Sequence, residues 1–443
     1  MPYVKVRELR DVQLIAYSGG RFEMGKYGIY IGKVYNYDKR SAFPSIMVDL
    51  PCLTDGTWSH IHGMSSRPYS IIHVRWQLVG SVFYPFFFRN DQGSIYFPDG
   101  MEKGEGLEGW YWKSEVDVAL KALKEGKIKG KIEVFESWEF NPHNDIKPFA
   151  FMLDIYETRR KWQAEGNPAH KVMKSVINYM YGKTVQSLGW KFDRYGNIES
   201  PSNHNVGYAG YTTAGIRAKI FDAVMQAPDQ IINIVSDGLY SLAPLDLPTG
   251  DGMGQWKVNE YDGIIMVNPG VFWCLTKLEC EPTEQERQEE FFSSNYFQYE
   301  GVWYETDTHY QGYDRDKLKP IDIVNKWRIG EGGTIKVRST RLVTLASALL
   351  DEELYKCLGS WREIEMELYP YPKGKRIGKK LILIEDKPAD GLEGTIADDV
   401  FFMESPMSAK FKRSWEKEDD DSEVLIDGVD RKVYNAEHTD SEL

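Results

Sequence analysis

Asp38 and Asp237 are the residues best suited to chemistry in this chain. Asp38 closes a run in which Ile29, Ile31, Tyr35 and Tyr37 alternate with Tyr30, Gly32 and Asn36, the period of a half-buried strand. The Phe43-Pro44 corner then turns the chain at once. A carboxylate at the carboxyl end of a strand can hold Mg²⁺ while the following turn approaches a phosphate, although plain turn chemistry also places Asp there. Asp237 lies in Gln230-Ile-Ile-Asn-Ile-Val235-Ser-Asp237-Gly238-Leu-Tyr240, where two apolar segments around Asp-Gly predict a β-hairpin. That pair favours a tight turn without any chemistry, and it is the company of Asp38 that gives Asp237 interest.

A third set of groups lies between them. Residues 148–164 predict a helix with Arg159, Arg160 and Lys161 near its end, and Gly166 breaks it. Asn167-Pro168 then caps and opens a second helix containing Lys171, Lys174, Asn178, Tyr181 and Gly182. On a helical wheel Lys171, Lys174, Asn178 and Tyr181 share an arc of about 80°, with Met173, Val176, Ile177 and Met180 opposite. Solvent tolerates such a stripe, yet this one holds hydrogen-bond donors and no acid, which suits a triphosphate.

The elements that must position these groups follow an α+β pattern without regular βαβ alternation. Residues 11–21 read as an apolar strand closed by the paired glycines Gly19-Gly20, and 71–89 as two β segments extending the sheet that carries Asp38. A capping-like Ser114 opens a short helix to Lys124, and 131–140 returns as a strand. Residues 212–227, carrying Arg217, predict a helix, and 254–260 and 263–275 further strands. Helical segments dominate from 283 to about 360. No repeat is visible.

Length and composition fit two or three domains with an ample core: the chain has 443 residues, 42% of them hydrophobic and 14% aromatic. No run approaches the length of a membrane span and no secretory signal is present, so the expectation is a cytoplasmic protein without a membrane partner. Cys52, Cys274, Cys280 and Cys357 lack the spacing of a zinc site or disulfide framework. The net charge of −13 argues against a general nucleic-acid coat, but residues 416–443 alone carry −8, leaving −5 on residues 1–415. That acidic tail is expected to be disordered. Basic segments at 336–341, 373–380 and 409–413 suggest phosphate-facing patches.

In this order the motifs resemble those of the polymerase part of family B DNA polymerases, with the protein-primed phage branch most similar. Asp38-Lys-Arg-Ser-Ala-Phe43-Pro-Ser resembles motif A, Lys174-Ser-Val-Ile-Asn178-Tyr-Met-Tyr181-Gly182 motif B, and Val235-Ser-Asp237-Gly-Leu-Tyr motif C. Tyr17-Ser-Gly19-Gly20 is similar to a template-contacting Tyr-x-Gly-Gly element, and Thr212–Arg217 to the helix before motif C. The likeness spans about residues 14–275. It departs at Val235, where motif C has its first aspartate, at Phe43 in place of a tyrosine, and at Gly270-Val-Phe272, which lacks the lysine of the primer-facing Lys-x-Tyr element.

The resemblance implies a right-hand polymerase with an antiparallel-sheet palm, helical-hairpin fingers and a mostly helical thumb. Its parts would be palm over 1–147 with motif A and an insertion, fingers over 148–190, palm again over 191–265, thumb over 266–415, and the tail. Residues 187–207 would be a shortened second insertion. Asp38, Asp237 and the Lys39 carbonyl would hold two Mg²⁺, with Mn²⁺ as an alternative. Phe43, Arg160, Lys161, Lys171, Lys174, Asn178 and Tyr181 would serve the nucleotide, and Tyr17, Gly19, Gly20, Gly182 and Phe272 the DNA. The partners implied are primer-template DNA, deoxynucleotides and a further terminal protein or separate exonuclease subunit. The 37 residues before Asp38 cannot hold the family's proofreading domain, so the expectation is either an enzyme lacking its own exonuclease or one piece of a split polymerase. The rival expectation, motivated by Val235, is a polymerase-shaped DNA-binding scaffold that has lost catalysis.

Overall fold

A computed structural model describes residues 2–26, 28–89, 95–98, 106–186, 202–290, 292–310 and 318–329, with the strand segments 191–192, 198–199, 335–342, 361–368, 374–377, 380–383, 401–403, 425–426 and 429–430. The chain opens with helix α1 (Pro2–Ala16), strands β1 (Arg21–Met24) and β2 (Gly28–Lys39), and α2 (Ala42–Met47). There follow β3 (Gly56–His62), β4 (Ser70–Val79), β5 (Phe88–Arg89), β6 (Ile95–Tyr96), β7 (Leu107–Trp112), α3 (Lys113–Lys124) and β8 (Lys129–Pro142). Helices α4 (Met152–Ala164) and α5 (His170–Thr184) form the hairpin, β9 (Lys191–Phe192) and β10 (Ile198–Glu199) pair beyond it, and α6 (Val206–Val224) leads to β11 (Ile231–Ser236) and β12 (Gly238–Ser241). The described chain continues through β13 (Trp256–Asn268), β14 (Val271–Lys277), α7 (Glu284–Arg287), α8 (Phe292–Asn295), β15 (Tyr296–Tyr299), β16 (Val302–Tyr310) and α9 (Pro320–Ile329).

Two antiparallel sheets frame the molecule. The larger has the order β1-β11-β12-β2-β13-β14-β16-β15, and the smaller, built from the segment between Asp38 and α4, has the order β3-β8-β4-β7. Helix α6 is buried along most of its length between them. One core unites Ile72, Val74, Trp76 and Leu78 of β4, Ala119 and Ala122 of α3, Ile216, Ile220 and Phe221 of α6, and Tyr37, Ile234 and Leu239 of the larger sheet. The helical hairpin is seated separately: Met152, Tyr156 and Ile177 pack on Met47 at the end of α2, on Val48 just beyond it and on Tyr208 of α6. The residues that follow motif A and the hairpin root therefore share one apolar cluster.

Several expectations are corrected. Residues 11–16 end a helix rather than start a strand, because Val12 and Ala16, one helical turn apart, pack with Ile71, Trp112 and Trp138 of the smaller sheet. Strand β4 extends that smaller sheet, not the one bearing Asp38. Helix α3 begins at Lys113, with no side-chain cap from Ser114. Helix α6 starts at Val206, six residues before the expected position, capped by Asn205 accepting from the Tyr208 amide. Residues 263–275 form strands as expected, in β13 and β14, but 283–310, expected to be mostly helical, form β15 and β16 with two four-residue helices among the described residues, since Val302–Tyr310 carries the aromatic and β-branched pattern of a paired strand. The tail over 416–443, expected to be disordered, lies outside the described residues except for the pair 425–426 and 429–430, as does the basic patch 409–413. No described helix is long and apolar enough to cross a membrane.

Candidate active site

Strand β2 carries Asp38 one residue from its end, on the face opposite Tyr37 and Lys39, so its side chain reaches solvent while both neighbours are buried. The hairpin β11–β12 lies directly beside it, with Gly238 opposite Asp38. The two residues outside the ladder are Ser236, in the left-handed region at φ 55°, and Asp237, so Gly238 already belongs to β12 and the turn is not centred on Asp-Gly. The Lys39 amide donates to the Asp237 carbonyl at 3.1 Å. A Cβ on Gly238 would stand 3.6 Å from Asp38 Oδ1. The two aspartates are thus neighbours across adjacent strands, despite their distance in sequence.

Their electrostatics follow from that closeness. Burial first, and then the negative charge of Asp38, push Asp237 up to about 6. Asp38 is also raised, again mainly by loss of water, against the pull of Lys257, Lys174 and Arg40 in that order. Two adjacent carboxylates, both held above their ordinary range, form a site short of positive charge, and the donor set of hard oxygens fits a divalent cation. Among the described residues no group of three or more His, Cys, Asp or Glu converges on one point. Val235, where a further acid would complete such a group, is instead half-buried against the cluster of Ile232, Tyr240 and Phe272.

Helix α5 faces this pair. The charge of Lys174 acts on Asp38, and Lys174, Lys171 and Asn178 are exposed. Tyr181 stacks on Phe43, ring centroids 4.6 Å apart at 11°, and its hydroxyl lies 3.3 Å from that of Tyr17. Motifs A and B and the loop bearing Tyr17 therefore meet through three aromatic rings. The opposite stripe is less apolar in its packing than its composition suggests: Ile177 is buried, but Val176 is 43% exposed. On α4, Arg160 pairs with Glu157 at 3.2 Å on the surface and Lys161 is exposed, whereas half-buried Arg159 lies against the Tyr156 ring.

Lys39 points away from the aspartates. Its ammonium donates to the Gly254 carbonyl and lies 4.7 Å from the centre of the Trp256 ring, and burial, with the nearby charge of Lys219, lowers it to about 8. Gly20 adjoins the motif C turn: a Cβ there would sit 2.5 Å from Ser236 Oγ and 3.2 Å from its Cα, so a side chain would force Ser236 to move. Gly19 and Gly182 border open space instead.

Phe272, expected to face DNA, does not. It is 2% exposed, stacked on His309 at 4.4 Å and edge-on to Tyr240, because β14 is an interior strand flanked by β13 and β16. Two cations near Asp38 escaped the sequence reading. Lys257 stands opposite Asp38 on β13, and Arg40 donates to the Gly250 carbonyl at 2.8 Å and pairs with Asp251 at 2.9 Å. Only cross-strand register reveals Lys257; Gly-Gln-Trp-Lys is no motif.

The fold of this chain is one found among solved DNA polymerases. The structure of "Phi29 DNA polymerase complexed with primer-template DNA and incoming nucleotide substrates (ternary complex)" matches with a TM-score of 0.50 and 14% identity, over 82% of this chain and 62% of that one. An orthorhombic crystal form of Phi29 DNA polymerase gives a TM-score of 0.49 at 15% identity, over 69% of this chain and 55% of that one. In sequence, a DNA polymerase of Acidianus bottle-shaped virus (isolate Italy/Pozzuoli) is 24% identical over 274 residues, 58% of this chain and 37% of the viral protein. The chain thus corresponds to little more than a third of that relative's length. No model of a known protein family matches. Both likenesses agree with the resemblance read from motifs A, B and C.

Proposed function

We propose that this chain is a template-directed DNA polymerase that adds deoxynucleotides to a primer 3′ end, with the larger sheet as palm and α4–α5 as fingers. The observation that carries the reading is the placement of Asp38 and Asp237 side by side at the strand ends with Lys174 above them. In the reaction, the primer 3′-oxygen bonds to the α-phosphorus, the bond to the bridging oxygen breaks, and pyrophosphate leaves. Asp38 and Asp237, with the Lys39 carbonyl, would hold two Mg²⁺, which when bound supply an acidified primer hydroxyl and charge for the departing pyrophosphate. Mn²⁺ suits the same oxygen donors.

The chain's own groups do the remaining work. Lys174 neutralises the outer phosphates, with Lys171, Lys161 and Arg160 adding long-range attraction from the hairpin. Phe43 and Tyr181, stacked, wall the sugar pocket, and the Phe43 ring leaves no room for a ribose 2′-hydroxyl. Asn178 lies one turn along, beside the nascent base pair. Closure of the hairpin then favours the correctly paired base. Tyr17, Gly19, Gly20 and Gly182 form the template side. Primer-template DNA and deoxynucleotides are the partners, and a terminal protein or a separate exonuclease subunit is the further partner that the protein-primed likeness suggests.

Val235 favours a second reading, a polymerase-shaped DNA-binding scaffold without catalysis, since no third acid joins Asp38 and Asp237 among the described residues. Primer extension separates the two. Synthesis in Mg²⁺ or Mn²⁺ that is lost in Asp237→Asn supports the enzyme; DNA binding with no extension in either metal supports the scaffold.

A further inference from the structure

The loop Tyr17–Gly20 is fixed from behind by a buried ion pair whose second member comes from the inserted segment. Arg217 of α6 and Glu115 of α3 have side chains 0% and 1% exposed, and the Arg217 Nε donates to Glu115 Oε1 at 2.8 Å. The same guanidinium donates through Nη1 to the Gly19 carbonyl at 2.7 Å and to the Ser18 carbonyl. Arg89 donates to the Tyr17 carbonyl at 2.7 Å. Three successive carbonyls are therefore taken by two arginines, which leaves the loop a single backbone course, ending where Gly20 abuts Ser236 beside Asp237.

Stability alone does not explain this arrangement. Desolvating a guanidinium and a carboxylate costs several kcal/mol per ion, and well-packed apolar residues of similar size commonly serve a core as well or better. What an apolar pair cannot do is donate to two carbonyls and so hold a glycine loop in place. The outer side of that loop is open, since a Cβ on Gly19 would meet nothing within 4 Å. A half-buried glycine backbone with open space above it, held by three carbonyl hydrogen bonds and lying next to the paired aspartates, suits close approach of a sugar-phosphate chain.

We infer that Glu115 and Arg217 are positioning residues for the template strand: Glu115 orients the Arg217 guanidinium, and Arg217 sets the Tyr17–Gly20 loop at the height at which the template backbone passes over Gly19. The inserted segment between Asp38 and α4 thereby governs template seating through α3. This rests on the polymerase reading, and the test keeps the two apart.

Binding of a fluorescent primer-template to the full chain is measured by anisotropy, with Tm and the deoxynucleotide KM recorded for each variant. Gly19→Ala, whose methyl group has free space in the fold, is expected to keep Tm and weaken binding at least about fivefold; wild-type affinity would remove the loop from the template path and defeat the underlying reading. Glu115→Leu combined with Arg217→Met is expected to keep Tm within a few degrees, weaken primer-template binding about tenfold or more, and leave the deoxynucleotide KM within about twofold. If Gly19→Ala weakens binding while the double variant binds like wild type, the positioning role is overturned. Should the double variant not fold, Glu115→Gln decides. This change keeps the shape and removes the charge that orients Arg217, so at least about threefold weaker template binding at unchanged KM is expected, and unchanged affinity overturns the inference.

Discussion

Asp237→Asn should stabilise the metal-free protein, and only above a particular pH. A rise from 3.8 to about 6 corresponds to roughly 3 kcal/mol for carrying the charge at neutral pH. Asp237 is partly exposed, and solvent relaxation reduces this to about 1–2 kcal/mol. Because the folded value lies above the unfolded one, the stability linked to the protonated group is fully present below about 3.8 and is lost as pH rises through about 6. The amide carries no charge at any pH and also relieves the repulsion on Asp38. Thermal unfolding without divalent cations should therefore show no advantage for the variant near pH 4, a growing one between pH 4 and 6, and a plateau of about 2–5 °C above pH 7. Adding Mg²⁺ at pH 7.5 should raise the wild-type Tm, by about 2.7 kcal/mol equivalent at a hundredfold excess over Kd, and raise that of the variant much less. A variant no more stable than wild type at pH 7.5, or one whose advantage persists undiminished at pH 4, would refute the reasoning.

The nucleotide side gives further outcomes. Lys174→Ala should raise the deoxynucleotide KM about 10–100-fold in steady-state extension, the loss expected for a charge-assisted phosphate contact. Phe43→Ala should narrow the preference for deoxynucleotides over ribonucleotides by at least about tenfold, read from the two kcat/KM values, since the ring stacked on Tyr181 is removed. Gly182→Ala should leave the circular dichroism spectrum and Tm unchanged, because the added methyl meets nothing within 4 Å, while weakening primer-template binding. Deleting residues 416–443, which carry −8, should tighten DNA binding at low salt and have little effect at high salt, where the tail's competition with DNA is screened.

The larger sheet was legible because its core strands announce themselves. Hairpin β11–β12 brackets Asp237 with apolar residues and Asp38 lies one residue from the end of β2, as the pattern predicts, although burial along β2 does not follow the expected alternation, with Ile31 exposed and Tyr30 and Asn36 buried. The helical hairpin was legible too, with Gly166 between its arms, although α5 begins at His170 behind Ala169, two residues past the expected Asn167-Pro168 opening. What failed depended on tertiary partners. Residues 11–16 look equally apolar as strand or helix, and only the tryptophans of the smaller sheet decide for the helix. The Lys-x-Tyr position gave Phe272 an outward role that its place between two strands denies. Lys257 lies near Asp38 through pairing register alone, which no local pattern encodes, whereas Arg40 stands two residues beyond Asp38 and its link to Asp251 is the part that only the fold reveals.

The reach of Asp38 and Asp237 toward shared cations is best tested by a crystal structure with primer-template, a non-hydrolysable deoxynucleotide and Mn²⁺, located by anomalous scattering. Mn²⁺ bridging oxygens of both aspartates and the triphosphate, at distances close to the roughly 2.0–2.1 Å typical of Mg²⁺, is the predicted result. Nucleotide bound with no metal between the two side chains would contradict it.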